Sequence, residues 1–304
     1  MKIIAGFVLF NPDKDRFEEC LGNALSLFDE IILFDNVGNQ QAYENIDNRV
    51  TYITEGENKG LAHALVSIME MAKERGADWV VTLDQDTVLP ENLVSEFKKY
   101  SDLPKAAIIA PQVVDKRRPY QKVEDCNLPI QETDFAITSA SFTNVEIYDK
   151  LGGFDEWLFV DFIDNDYCKR ALIEGFKIYR MNNVVIDQEF GKIKLKSPKK
   201  VAFYMWLSKV LHNKNVAKLT YSKVVSPLRV YFVHRNLLYL NKKFKNYGGI
   251  GYDNFYCKSF LGFLFYFSLP SFVRAQSKLK VLKAIIKGLH DGVKSPNNIF
   301  EIMR

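Results

Sequence analysis

The sequence predicts an α/β protein in which a mostly parallel central sheet is flanked by helices and followed by a C-terminal helical appendage. Two observations carry this expectation. From residue 2 to residue 110, apolar runs of strand length alternate with stretches of helical apolar spacing. That alternation implies right-handed βαβ units and a largely parallel sheet. Beyond about residue 200 the strand signals fade, and aromatic and basic residues dominate. The expected division is therefore 1–200 and 201–304.

The elements follow in order. Residues 2–10 read as a strand, and Asn11-Pro12-Asp13 as a turn opening a helix over 16–28. Residues 31–34 form a second strand ending at Asp35-Asn36, and 50–54 a third. Over 60–75, Leu61, Ala64, Leu65 and Ile68 fall on one helical face. Residues 79–83 are a continuous apolar run, as expected of a parallel strand buried on both faces. Pro90 suits the first turn of a helix over 90–100, and 107–110 is a further strand. The stretch 115–133 is polar and reads as loop. Residues 135–142 read as a strand, 144–151 as a short helix, and 164–175 as a helix with Gly175 at its C-terminal cap. Residues 201–246 and 255–288 read as helical.

Composition bounds the function. The chain has 304 residues, 47% hydrophobic and 26% charged, with a net charge of +4. That charge gives no argument for nucleic-acid binding. The four cysteines (Cys20, Cys126, Cys168, Cys257) stand singly, which points to reduced thiols and a cytoplasmic protein rather than a zinc site or disulfide framework. The start reads as no signal peptide, and no run reaches the roughly 20 apolar residues of a spanning helix.

Five clusters carry chemistry. Asp84-Gln85-Asp86 ends the 79–83 run. Open α/β sheets bind ligands beyond the carboxyl ends of their strands. Mg²⁺ takes one or two protein carboxylates plus phosphate oxygens, so two aspartates there suit a cation carrying a diphosphate. Asp35-Asn36 closes the second strand, where a carboxylate can accept from the imide N–H of a pyrimidine. Asn58-Lys59-Gly60-Leu61-Ala62 opens a helix whose free N–H groups suit a phosphate or ribose. Around Phe159 to Asp166, three acids (Asp161, Asp164, Asp166) are interleaved with aromatics. Helix capping explains one of them. Asp161, among Phe159, Val160 and Phe162, has the apolar company that raises a carboxylate pKa and suits a general base. Residues 191–200 hold five lysines, which read as a solvated loop or a mobile lid over phosphate charge.

In this order and spacing the motifs resemble the family 2 inverting glycosyltransferases of GT-A fold, especially their rhamnosyltransferase-like branch. The resemblance covers residues 3–240. Its marks are Phe10-Asn11-Pro12, Asp35-Asn36, Asn58-Lys59-Gly60-Leu61-Ala62, Asp84-Gln85-Asp86, Thr138-Ser139-Ala140-Ser141, Gly152-Gly153-Phe154-Asp155, Asp161 through Asp164, Cys168-Lys169-Arg170 and Arg235-Asn236. It implies a Rossmann-like nucleotide-sugar domain over 1–200, with Asn11, Asp35, Asn36, Asn58, Gly60 and Asp84 at the nucleotide. It implies Mg²⁺ or Mn²⁺ on Asp84 and Asp86, Asp164 as general base, and Asp161 as a carboxylate of the rhamnosyltransferase branch. The family's metal-shell histidine is absent here; the segment reads Asp187-Gln188-Glu189-Phe190-Gly191, so Gln188 or Glu189 takes that place. The family's Thr-Ser-Gly appears as Thr138-Ser139-Ala140. The implied donor is a nucleoside diphosphate sugar, most closely dTDP-L-rhamnose, and the acceptor a cell-surface glycan, lipid-linked. Alternatives are a UDP-hexosyl or galactofuranosyl transferase and an inactive sugar-nucleotide-binding protein. Eight Lys or Arg, two acids and many aromatics over 255–304 suit peripheral contact with the inner face of the cell membrane, or packing against the catalytic domain or a second copy in a homo-oligomer.

Overall fold

The structure is a computed structural model that describes residues 1–38, 47–124, 127–188, 191 and 193–302. Cys126, Glu189, Lys192 and Arg304 lie outside the described residues. The chain forms two compact units, one of residues 1–113 and 123–188, the other of residues 114–122 and 189–304.

The first unit runs β1 (Ile3–Leu9), α1 (Lys14–Leu25), β2 (Ile31–Asp35), β3 (Val50–Thr54), α2 (Leu61–Glu74), β4 (Trp79–Asp84), α3 (Leu93–Lys98) and β5 (Ala106–Val114). It continues with β6 (Ile130–Thr133), β7 (Ser141–Asn144), α4 (Val145–Lys150), α5 (Ile163–Ile173) and β8 (Lys177–Asp187). The eight strands form one sheet in the order β3-β2-β1-β4-β7-β5-β8-β6. β3, β2, β1 and β4 are parallel, whereas β7 runs antiparallel to both β4 and β5.

Local chemistry starts the helices. Asp13 caps α1 by accepting from the Arg16 amide at 3.1 Å, and Asn144 caps α4 from Ile147 at 3.0 Å. α1 and α3 cover one face of the sheet through Phe17, Leu21, Leu93 and Phe97, which join Phe7, Trp79 and Phe142 in a single core. On α2, Ile68 lies against Gly6 of β1; a Cβ on Gly6 would meet the Ile68 Cγ2 at 2.3 Å, so only glycine admits this helix at that depth. Each such buried Ile or Phe contributes about 1.5–3 kcal/mol.

The second unit holds β9 (Ile193–Leu195), α6 (Pro198–Val210), α7 (Lys214–Ala217), β10 (Tyr221–Lys223), α8 (Pro227–Lys243), α9 (Phe260–Phe263), α10 (Leu269–Arg274) and α11 (Lys278–Val293). A π-helical stretch, Leu264–Ser268, joins α9 to α10. His234 on α8 is fully buried there. It contacts the Val230 carbonyl and the Ser268 hydroxyl, each at 2.7 Å, and burial pulls its imidazole down to about 4. α11 crosses α8 through Gly288 and Gly292, where a Cβ would meet the Tyr231 and Arg235 carbonyls within 3 Å.

Several expectations need correction. β8 adds a strand to the expected elements; its alternation is broken by Asn182 and Asn183, and Asn182 is accommodated by donating to Leu128 O and Gln131 Oε1. β6 lies inside the stretch read as loop. The strand expected over 135–142 begins only at Ser141, because the preceding segment turns at Ala140 with φ +57°. Residues 193–200 are not all loop: β9 pairs antiparallel with β10, and α6 begins at Pro198. The boundary expected at residue 200 falls inside α6; the chain leaves the first unit after Gln188, and residues 114–122 group with the second. Among the C-terminal aromatics, Phe263 is buried against His234 and Phe255 is buried against Phe263, whereas Phe265 is exposed.

Candidate active site

Strand order locates the site. From β1 the chain builds outward through β2 and β3, then returns to add β4 on the other side of β1. This reversal opens a crevice beyond the carboxyl ends of β1 and β4, where doubly wound sheets bind ligands. β4 is buried along Trp79 to Leu83 and emerges at Asp84, so the apolar run delivers Asp84-Gln85-Asp86 to that crevice.

Gln85 is a residue sequence reasoning missed. Its Oε1 accepts from the Phe10 amide at 2.7 Å and its Nε2 donates to the Phe10 carbonyl at 3.3 Å. The middle residue of the acidic motif thus holds the Phe10-Asn11 turn, in which Asn11 has φ +47°. Arg16 on α1 donates to the Asp86 carbonyl through Nε at 3.2 Å and Nη2 at 3.0 Å. These bonds fix the backbone of the motif while the Asp86 side chain stays exposed.

Asp35 ends β2 and is buried. Its carboxylate accepts from the Val37 amide and the Tyr52 hydroxyl, each at 2.8 Å. Asn36 beside it is 4% exposed and its Oδ1 has no partner. Gln188, just past β8, is 5% exposed; its Nε2 donates to Asp84 Oδ2, and its Oε1 has no partner. Buried polar atoms are nearly always satisfied, so two orphaned oxygens on one crevice mark where a ligand's polar groups fit.

The segment before α5 completes the rim. Phe159, Asp161 and Phe162 all have φ between +58° and +70°, a costly conformation for non-glycine residues. α2 helps hold this segment. The Phe159 carbonyl accepts from Leu61 N at 2.6 Å and Ala62 N at 3.2 Å, and Asn58 Oδ1 takes the Gly60 amide at 2.9 Å. The amides expected to be free for a phosphate at this helix entrance are therefore occupied. Asn58 and Gly60 position the loop instead.

Within the loop the acids divide. Asp166 is fully buried and paired with Arg170 at 2.8 Å; Arg170 also donates to Leu151 O and Gly153 O, pinning the Gly152-Gly153 turn. Asp164 stands in the first turn of α5. Burial pushes its carboxyl up to about 6, against the Asn165 amide that it accepts at 2.9 Å, and the charges of Asp161 and Asp84 add to the rise. Asp84 and Asp161 thus both act electrostatically on Asp164. Arg235-Asn236 belongs to α8, in the second unit, where Arg235 Nε donates to Asn236 Oδ1 at 2.9 Å.

Among the described residues, no group of three His, Cys, Asp or Glu forms a ready metal cage. The donors on the crevice are oxygens: the carboxylates of Asp84 and Asp86 and the orphaned Gln188 Oε1. Such a set fits a hard cation that takes its remaining ligands from phosphate and water. Glu189, the other residue expected in the metal shell, lies outside the described residues.

Residues 8–147 match the family model described as glycosyl transferase family 2. Over these residues the chain is similar to the family 2 glycosyltransferases. It is 22% identical over 206 residues to the dTDP-rhamnosyl transferase RfbF of Shigella flexneri, covering 62% of this chain and 69% of the relative. Three solved structures share its fold. GalNAc-T7 with UDP, GalNAc and Mn²⁺ matches with TM-score 0.53 at 13% identity, over 88% of this chain but only 57% of that one. S. aureus TarS (residues 1–349) with UDP matches with TM-score 0.51 at 12% identity, over 96% and 89%. The mannosyltransferase PcManGT of Pyrobaculum calidifontis with GDP-Man and Mn²⁺ matches with TM-score 0.50 at 14% identity, over 97% and 76%. The fold is GT-A-like, as expected: a mostly parallel central sheet flanked by helices, with C-terminal helices added.

Proposed function

We propose that this glycosyltransferase moves a sugar, L-rhamnose from dTDP-rhamnose, to a hydroxyl of a lipid-linked cell-surface glycan with inversion at the anomeric carbon. The observation that carries the reading is Asp164, a carboxyl raised to about 6 on the rim that holds Asp84. A base of that pKa is ionised at neutral pH and still basic enough to take a proton as a bond forms. In this reading Asp164 takes the acceptor hydroxyl proton. The oxygen attacks the anomeric carbon from the face opposite the nucleoside diphosphate, whose bond to that carbon breaks in the same displacement.

Asp35 and Asn36 would receive the pyrimidine, with Tyr52 fixing the Asp35 carboxylate. The Phe10-Asn11 turn held by Gln85 would border the nucleotide. Asp84 and Asp86, with Gln188, would hold Mg²⁺ or Mn²⁺, which when bound neutralises charge on the leaving diphosphate. Asp161 would meet the sugar. The rhamnosyl donor is supported by the similarity to RfbF, and the cation by the Mn²⁺ in two structures of like fold.

A thermal-shift screen against dTDP- and UDP-sugars, with and without Mn²⁺, followed by donor turnover, tests this. Stabilisation by dTDP-rhamnose that needs Mn²⁺, with transfer, supports the reading. Preference for a UDP-sugar changes the donor. Binding without donor turnover or transfer leaves a sugar-nucleotide-binding protein.

A further inference from the structure

Charge is divided unevenly along the chain. Residues 1–189 hold 34 Asp or Glu against 19 Lys or Arg, whereas residues 190–304, all in the second unit, hold three against 22. The small net charge of the whole chain hides this split. From Asn254 to His290 there is no acid at all. An anionic surface therefore attracts the second unit and repels the first. Apolar groups are sorted as sharply. From Phe260 to Arg274 the chain runs through α9, the π-helical stretch Leu264–Ser268 and α10 without a break. Its inner side is fixed: Phe263 is fully buried and stacks on Phe267 with ring centroids 5.3 Å apart, and the Ser268 hydroxyl lies 2.7 Å from His234 Nε2. Its outer side exposes Leu261, Phe265, Leu269 and Val273, with Leu261 at 77%. These four recur every fourth residue. An α-helix turns once in about 3.6 residues, so steps of four drift around it. The wider turns of the π-helical stretch reduce that drift and hold the row more nearly in line. Exposed cations close both ends, Lys258 before α9 and Arg274 at the end of α10.

We propose that the row of Leu261, Phe265, Leu269 and Val273 seats in an anionic lipid surface, with the helix lying in the plane of the interface and Lys258 and Arg274 among the headgroups. An exposed apolar row is unfavourable in water and marks an interaction surface. A bilayer covers such a row to a depth of about 5–10 Å, and the excess of Lys and Arg matches its negative charge. The long stems of the two terminal cations let their charges stay at the headgroups while the row is buried. A second copy placing its own row against this one would set like charges together, which opposes that contact. The proposal holds whichever donor and acceptor the Asp84 rim serves.

The test measures partitioning of the full chain onto phosphatidylcholine vesicles with and without phosphatidylglycerol. Wild type should bind the mixed vesicles at low salt and leave them as salt rises. Leu261→Gln with Phe265→Gln loses the burial of two large apolar side chains, so its partition coefficient should fall on the order of 100-fold. Lys258→Gln with Arg274→Gln should bind the mixed vesicles roughly tenfold less or weaker still, and phosphatidylcholine alone as wild type does. All four positions are exposed, so both double variants should melt with wild type. Equal partitioning of wild type and the Leu261→Gln, Phe265→Gln variant overturns the proposal, as does wild-type binding that is the same on both kinds of vesicle. A wild-type dimer that the apolar substitutions dissolve, in a protein that binds neither vesicle, also overturns it and gives the row to a second copy.

Discussion

At the scale of single residues, Asp164 joins stability to chemistry. Its carboxyl is raised from the ordinary 3.8 to about 6, chiefly by burial. A raised acid favours the folded state below its unfolded pKa, and that favour is lost as pH rises through the folded value. Asp164→Asn removes the buried charge and keeps an oxygen for the Asn165 amide. The variant should therefore melt higher than wild type at pH 7.5, with the difference vanishing near pH 4. Its transfer rate should fall by roughly 10² to 10⁴-fold. Wild-type kcat should rise with pH to a plateau above about 6. A variant that melts lower at neutral pH and keeps its rate would remove Asp164 from the role of base. The strand-end acids Asp84 and Asp86 were legible because an apolar run stops at them. Gln85 was not, because its partner Phe10 becomes a neighbour only when β4 pairs with β1. The division of labour between Asp164 and Asp166 was also hidden: it depends on which of them Arg170 reaches, and both stand at the same helix entrance in the sequence.

At the scale of elements, α2 is the support of the loop that carries the acids. Gly60 has φ +103°, and a Cβ there would lie 2.7 Å from both the Phe159 carbonyl oxygen and its ring. Gly60→Ala should destabilise the fold by about 2 kcal/mol or more, measured by urea unfolding, and lower kcat as the loop shifts. Wild-type stability in that variant would mean the loop is held elsewhere. His63, in the first turn of α2, ties the same loop from its side chain. Its Nδ1 lies 2.5 Å from Glu156 and its Nε2 2.8 Å from Glu55. Both ring nitrogens face carboxylates, so both carry protons. Burial opposes that charge, but the hydrogen bonds that His63 donates to Glu55 and Glu156 outweigh it and raise the pKa above 6.5. The stabilisation is therefore full below about pH 6.5 and is lost as pH rises through the folded value. His63→Gln should cost about 1 kcal/mol at pH 6 and little at pH 9. An equal cost at both pH values would show packing alone. This helix was legible from its apolar spacing; its role as a brace was not, since Phe159 and Glu156 are distant in sequence.

For the whole molecule, the sequence separated an alternating α/β region from a basic, aromatic one, and the second unit shows why the latter resisted finer reading. Its aromatics serve two purposes that composition cannot separate: Phe263 packs on buried His234, whereas Leu261, Phe265, Leu269 and Val273 stay exposed. α11 divides likewise. Val281, Gly288 and Gly292 face α8, and the opposite face exposes Leu279, Leu282, Ile286 and Val293 among Lys278, Lys280 and Lys283. α6 exposes Phe203, Trp206 and Val210 in the same manner. Among the described residues, no helix is long and apolar enough to cross a membrane. Exposed apolar stripes flanked by lysines match the surface of an anionic bilayer, which supplies both hydrocarbon and negative charge. We therefore expect the full chain to float with phosphatidylglycerol vesicles at low salt, and less so at high salt. Burying a Leu or Ile is worth about 1.5–3 kcal/mol, so Leu279→Gln with Ile286→Gln should weaken partitioning on the order of 100-fold. Both positions are exposed, so the melting temperature should hardly move. Flotation unchanged by the double substitution would remove α11 from the membrane contact. Loss of a dimer in size-exclusion chromatography, with no vesicle binding in either protein, would assign the stripe to a second copy of the chain.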